Sequence, residues 1–214
     1  TMLFARTAFI GLLQNREYSL HDRLVNVLSA TAEIQYALDD EDTEEIKVIA
    51  EELSHHEIIA ERAESLKKAL PEKPLENAEN MLLYLERLDF IGDILPQQIK
   101  DANRFVKKLS APIKAQESGE YEKLAVYFVY RYFLKAVRDF DLLSKIKAMI
   151  VFVFAAEVIN LSREQNAPAR FETVKELCKE IEYSGDNMDR IYDDSYLSDI
   201  FSDTSMLALL EWTL

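Results

Sequence analysis

The chain has 214 residues, 49% of them hydrophobic, enough to enclose the core of one large domain or two small ones. Its formal net charge of −14 repels polyanions, and no clustered stripe of Lys and Arg offsets it, which argues against nucleic acid as a partner. A single cysteine, Cys178, excludes an intrachain disulfide and any multi-thiolate metal or cluster site built from this chain alone, and it suits a reducing cytoplasm.

The chain opens with Thr1 ahead of Met2, which suggests an artificial or truncated start. Residues 1–11 carry Arg6 but no apolar run followed by a small-residue cleavage site, so no signal peptide is read there. Apolar residues at Leu24, Val25, Leu28, Ile34 and Leu38 recur at helical spacing, with Ser19 and Asp22 placed to cap the start, and predict a helix over 19–38. The acidic run DDEDTEE at 39–45 then forms a polar link whose carboxylates favour the positive end of the next helix. That helix is expected to continue to about residue 70, where Pro71 and Pro74 stop it. Further helical patterns occupy 75–90, 96–109, 120–137, 142–161 and 171–183, and one or two short helices finish the chain.

Within the pattern at 142–161, AMIVFVFAAEVINL (148–161) is the most apolar stretch. It is too short for a bilayer crossing and carries Glu157 and Asn160, so it predicts a buried core helix rather than a membrane partner. Nowhere do β-branched residues alternate with polar ones between turn signals. The expected fold is therefore all-α, a multi-helix bundle. The segment KAQESGE (114–120), polar and just after Pro112, is the best internal boundary. It leaves either a single helical domain over 1–214 or two helical halves in close contact, 1–115 and 116–214. No repeat of 20–50 residues suggests a solenoid.

Few residues carry recognisable chemistry. In EELSHHE, Glu52 and His55 are spaced i, i+3 on one expected helix face, as in carboxylate-bridged di-iron bundles. Such sites need a second Glu-x-x-His pair, and the remaining candidate, His21, has no glutamate three residues before it. Glu52 and His55 are thus weak metal candidates against the plainer reading of a solvated face. The acidic sets 39–45 and Asp186, Asp189, Asp193, Asp194 lack the central glycine of an EF-hand loop. Between Glu176 and Asp203 nine acidic residues face only Lys179 and Arg190, which predicts a negative surface suited to a cationic partner. In YEKLAVYFVYRYF, Tyr127, Tyr130 and Phe133, or Phe128 and Tyr132, fall near one another on a helix. Arg131 among them needs a carboxylate or solvent, and Asp139 or Asp141 could supply the former, unless Asp141 caps the following helix. Four scattered glycines cannot build a glycine-rich dinucleotide turn or a Walker loop.

Three segments carry a resemblance. YEKLAVYFVYRYFLKAVRDFDLLSKIK (121–147) resembles the C-terminal half of the flagellin lysine-N-methylase family. LLQNREYSLHDRL (12–24) and KEIEYSGDNMDRIYD (179–193) agree with it in order and spacing, so the resemblance spans nearly the whole chain. It implies a longer parent whose N-terminal part holds a cysteine-rich cluster, associated with an iron–sulfur centre and methyl transfer from S-adenosylmethionine to lysine. The cysteines of that segment have no counterpart here, so no cofactor is assigned to this chain. By resemblance the partner is a lysine-bearing, flagellin-like protein, and this chain is expected to support the catalytic segment or hold the substrate. The alternatives are a non-catalytic interaction module and a metal-binding helical bundle. Arg131, Tyr132, Asp139 and Asp141 lie in the densest part of the resemblance and are the candidates for a cleft or for contact with the missing segment.

Overall fold

A computed structural model describes residues 1–68, 73–114, 119–163 and 167–212, and among the described residues every regular element is a helix. The first, α1 (Met2–Gln14), buries Ala5, Phe9, Leu12 and Leu13, which repeat at helical spacing. This helix precedes the first one expected from the sequence, at 19–38. In α2 (Leu20–Asp39) the Ser19 hydroxyl accepts from the Asp22 amide at 3.1 Å, the expected cap. Asp42 opens α3 (Thr43–Glu52) by accepting from the amides of Glu44 and Glu45.

The continuous helix expected up to residue 70 is corrected here. The chain breaks at Leu53 to His55 and restarts as α4 (His56–Lys68). Leu53 and Ile59 both turn into the core, and both short helices pack on α2. One straight rod would hold only one of them there. Asn26 of α2 fastens the second by donating to the Ile59 carbonyl at 3.1 Å. Residues 69–72, with Pro71, lie outside the described residues, as do 115–118 within the proposed boundary.

Pro74 occupies the first turn of α5 (Pro74–Leu85), where its missing N–H costs nothing. Then follow α6 (Ile94–Val106), α7 (Gly119–Tyr132), a 3₁₀ turn at Phe133–Lys135 and the single-turn α8 (Ala136–Asp139). Phe140 closes α8 in the left-handed region at φ 55°. Gln35 supports that turn from α2, donating to the Phe140 carbonyl at 2.8 Å and accepting from the amides of Leu142 and Leu143 at 2.8 and 3.1 Å. The central α9 (Leu143–Ser162) follows, every residue of 148–156 buried, as a helix apolar on all sides must be. It packs against α2, α6, α7, α10 (Ala167–Leu177), α11 (Gly185–Leu197) and α12 (Asp203–Leu210). Buried apolar residues from α1 to α12 form one continuous cluster. No described helix is long and apolar enough to cross a membrane.

Candidate functional site

Between α10 and α11 the backbone widens into a π-helical turn at Cys178–Glu182, a local departure that often marks a functional position. It buries two carboxylates. Glu180 accepts from the amides of Ile91 and Gly92 at 2.8 and 3.1 Å and pairs with Lys179 at 3.0 Å. Lys179 first, then those two amides, hold its carboxyl below the usual range. A Cβ on Gly92 would lie 3.0 Å from a Glu180 oxygen, a tight contact that a larger residue would make only if the carboxylate shifted. Asn187 secures the same turn, exchanging hydrogen bonds with the Asp89 backbone and donating to the Glu180 carbonyl.

With its outer side fixed, the turn delivers Glu182 against the aromatic side of α7. The Glu182 side chain has no exposure. Its Oε1 accepts from the Tyr127 hydroxyl at 2.9 Å and from the Tyr132 hydroxyl, and pairs with Arg131 Nε at 3.0 Å. Oε2 is buried without a hydrogen-bond partner. Arg131 Nε also donates to the Tyr132 hydroxyl at 3.0 Å. Its guanidinium carbon stands 5.9, 5.5 and 5.8 Å from the ring centres of Tyr127, Tyr132 and Tyr183, within cation–π range. Burial, and then the Glu182 carboxylate, push both phenols well above their ordinary values, so both stay protonated as donors.

This cluster adjoins a groove of about 610 Å³ between α7 and α10. Leu124, Tyr127, Phe171, Val174, Cys178 and Tyr183 give it apolar walls, and Glu120, Lys123, Lys175 and Lys179 ring it. Burial, followed by the nearby Glu182 charge, pushes the Cys178 thiol up to about 11.

Of the four cleft candidates, the structure brings Arg131 and Tyr132 together at Glu182. It places Asp139 and Asp141 elsewhere, which corrects the expectation that one of them neutralises Arg131. Both pair with the buried Lys145, at 2.9 and 3.3 Å. Asp141 also accepts from the Ser144 amide at 3.0 Å, from the Ser144 hydroxyl and from Tyr196 at 2.6 Å, so it caps α9. Their proximity to Arg131 in sequence misled, because α8 and the left-handed Phe140 redirect the chain. The partner is 51 positions away, at Glu182, and only the EIEYSG stretch of the resembling downstream segment hinted at it.

Glu52 and His55 do not share a helix face, since α3 ends at Glu52 and His55 lies in the following turn. They line one open depression of about 490 Å³ with Glu51, His56 and Glu57. There the Glu52 carboxylate accepts from Arg62 at 2.7 Å, and His56 Nδ1 meets the Tyr18 hydroxyl. Among the described residues no three His, Cys, Asp or Glu side chains converge as a metal site. On α11, Asp186, Asp189 and Asp193 face outward, whereas Asp194 accepts from Tyr84 at 2.9 Å.

No curated protein and no solved structure matches the chain. The model of the FliB lysine N-methylase C-terminal domain does, over residues 6–209. That span holds α2 through α11, both walls of the groove and the Glu182 cluster, and the chain belongs to the FliB lysine N-methylase C-terminal domain family.

Proposed function

We propose that this chain is the substrate-holding half of a cytoplasmic protein-lysine N-methylase acting on flagellin or a similar surface protein, and that the methyl-transfer chemistry resides in a cysteine-rich part of longer family members. The observation that carries this reading is the family match over residues 6–209. The site is compatible with it: a lysine side chain has an apolar four-carbon stem and a cationic head, and the groove offers apolar walls beside a buried carboxylate.

The residues present do not fit the cofactors that the resemblance implies. An iron–sulfur cluster needs several thiolates, whereas Cys178 is alone and held as a thiol by burial and Glu182. No glycine of the chain has a positive φ, so none forms the tight turn with which common folds cradle a nucleotide-like cofactor. No step of the reaction is therefore assigned to this chain.

The test is methyl transfer from labelled S-adenosylmethionine to flagellin under anaerobic conditions, with this chain and a cluster-bearing longer protein run in parallel. The longer protein should label flagellin and this chain should not. Labelling by this chain would refute the division of labour. An inactive, cluster-replete long protein would favour a non-catalytic interaction module, a reading to which Phe171 and Tyr183, both well exposed beside the groove, lend support.

A further inference from the structure

We propose that Tyr127, Tyr132, Tyr183 and Glu182 form an organic-ammonium binding box at the end of the groove, and that Arg131 is its resting occupant. Three phenol rings surround one cation at 5.5 to 5.9 Å, and a fully buried carboxylate supplies the counter-charge. Aromatic faces around a carboxylate suit weakly hydrated cations, quaternary ammonium above all.

Two features make the box a binding site rather than a finished ion pair. The first is the state of Glu182: two phenol hydroxyls donate to Oε1, with Arg131 Nε paired 3.0 Å away, while the buried Oε2 accepts from none. A buried carboxylate oxygen left unpaired is costly, and the arrangement has acceptor capacity to spare. The second is how loosely Arg131 is held. Its side chain is 46% exposed, and its Nε–H donates to the Tyr132 hydroxyl, not as one prong of the two-pronged hydrogen-bonded geometry that makes Arg–carboxylate pairs strong.

The approach is also built. Tyr127 and Tyr183 belong both to the box and to the groove wall, so a cationic side chain lying along the groove meets those rings before it meets Arg131. The ligand class is an alkylammonium on an apolar stem. Identifying it as the lysine of a protein substrate, with affinity rising as the nitrogen gains methyl groups, rests on the proposed function. The ammonium site itself does not.

The experiment titrates the full 214-residue chain and an Arg131→Gln variant with tetramethylammonium and with the amide of Nα-acetyl-trimethyllysine. The Tyr ring resonances are followed by NMR, and the amide of Nα-acetyl-norleucine serves as the uncharged control. The wild-type chain should bind weakly and saturably, with shifts at Tyr127, Tyr132 and Tyr183. Arg131→Gln should bind about tenfold tighter, and adding Tyr183→Ala should remove about tenfold of that affinity. Tyr183 is exposed, so its removal leaves the fold intact. No saturable binding by either wild type or Arg131→Gln, or equal binding of the uncharged control, overturns the proposal. Ammonium binding without methylation of flagellin by the longer protein would refute the lysine reading and leave the box standing. Methylation without ammonium binding would do the reverse.

Discussion

Glu182 concentrates a charge where no water reaches it, and its two phenols are the donors that make this tolerable. Replacing Tyr132, itself buried, with phenylalanine leaves the Glu182 carboxylate short of a donor and should cost about 1–3 kcal/mol in chemical denaturation. No measurable loss would mean that Glu182 is solvated. Cys178 lies beside it with its thiol pushed up to about 11, so little thiolate exists at pH 8. Alkylation there should run roughly 100-fold slower than for free cysteine, and a rate equal to that of the free amino acid would contradict the burial. Asp141 shows the opposite sign. Burial pushes its carboxyl up, but hydrogen bonds from Ser144 and Tyr196 and the charge of Lys145 outweigh that and hold it below its ordinary value of 3.8. A carboxyl depressed on folding stabilises the fold above its unfolded value and loses that contribution as pH falls through the folded value. Asp141→Asn should therefore lower stability at neutral pH and flatten the acid limb of the stability curve below about pH 4. A variant whose acid limb matches the wild type would remove Asp141 from the account.

At the scale of elements, α9 follows from composition. Residues 148–156 are apolar on every side and every one is buried, and Phe152 packs on Phe128 of α7 with ring centres 4.6 Å apart. Phe152→Ala should cost about 3–5 kcal/mol, and a loss below about 0.5 kcal/mol would place that ring at the surface. Helix-scale periodicity was legible wherever one face is buried, as the Ser19 cap and the Leu24 to Leu38 stripe demonstrate. The signal fails where a tertiary demand overrides a local pattern. Nothing in EELSHHE announces that Leu53 and Ile59 must both reach α2's side of the core, so the break that separates Glu52 from His55 was invisible. The apolar spacing of Ala5, Phe9 and Leu12 is present in the sequence, but with so few positions ahead of Asn15 it is a short stripe that only packing turns into a helix. In the cluster around Glu182, Arg131 and Tyr132 stand out in the sequence and Glu182 does not. Single-chain periodicity cannot report a pairing across 51 positions, and the π turn that aims Glu182 has no composition of its own.

On the whole molecule, the net charge of −14 is unevenly spread: three lysines and one glutamate ring the groove, whereas acidic residues collect on α11. The outward face of α11 carries Asp186, Asp189 and Asp193, and α11 begins just beyond Tyr183 and the π turn. A cationic segment approaching α11 therefore meets a negative field, which raises encounter rates and is screened over about 10 Å at 0.1 M salt. The consequence concerns rates more than affinity, because exposed charges steer without being desolvated. Replacing all three aspartates with asparagine should slow association of a lysine-bearing flagellin segment several-fold at low ionic strength and leave its dissociation nearly unchanged. At high salt the wild-type and substituted chains should associate at the same rate. Stopped-flow measurement across a salt series decides it. A wild-type association rate indifferent to salt would mean that this face takes no part in capture, and a change confined to dissociation would mean that the aspartates touch the bound segment instead of drawing it in.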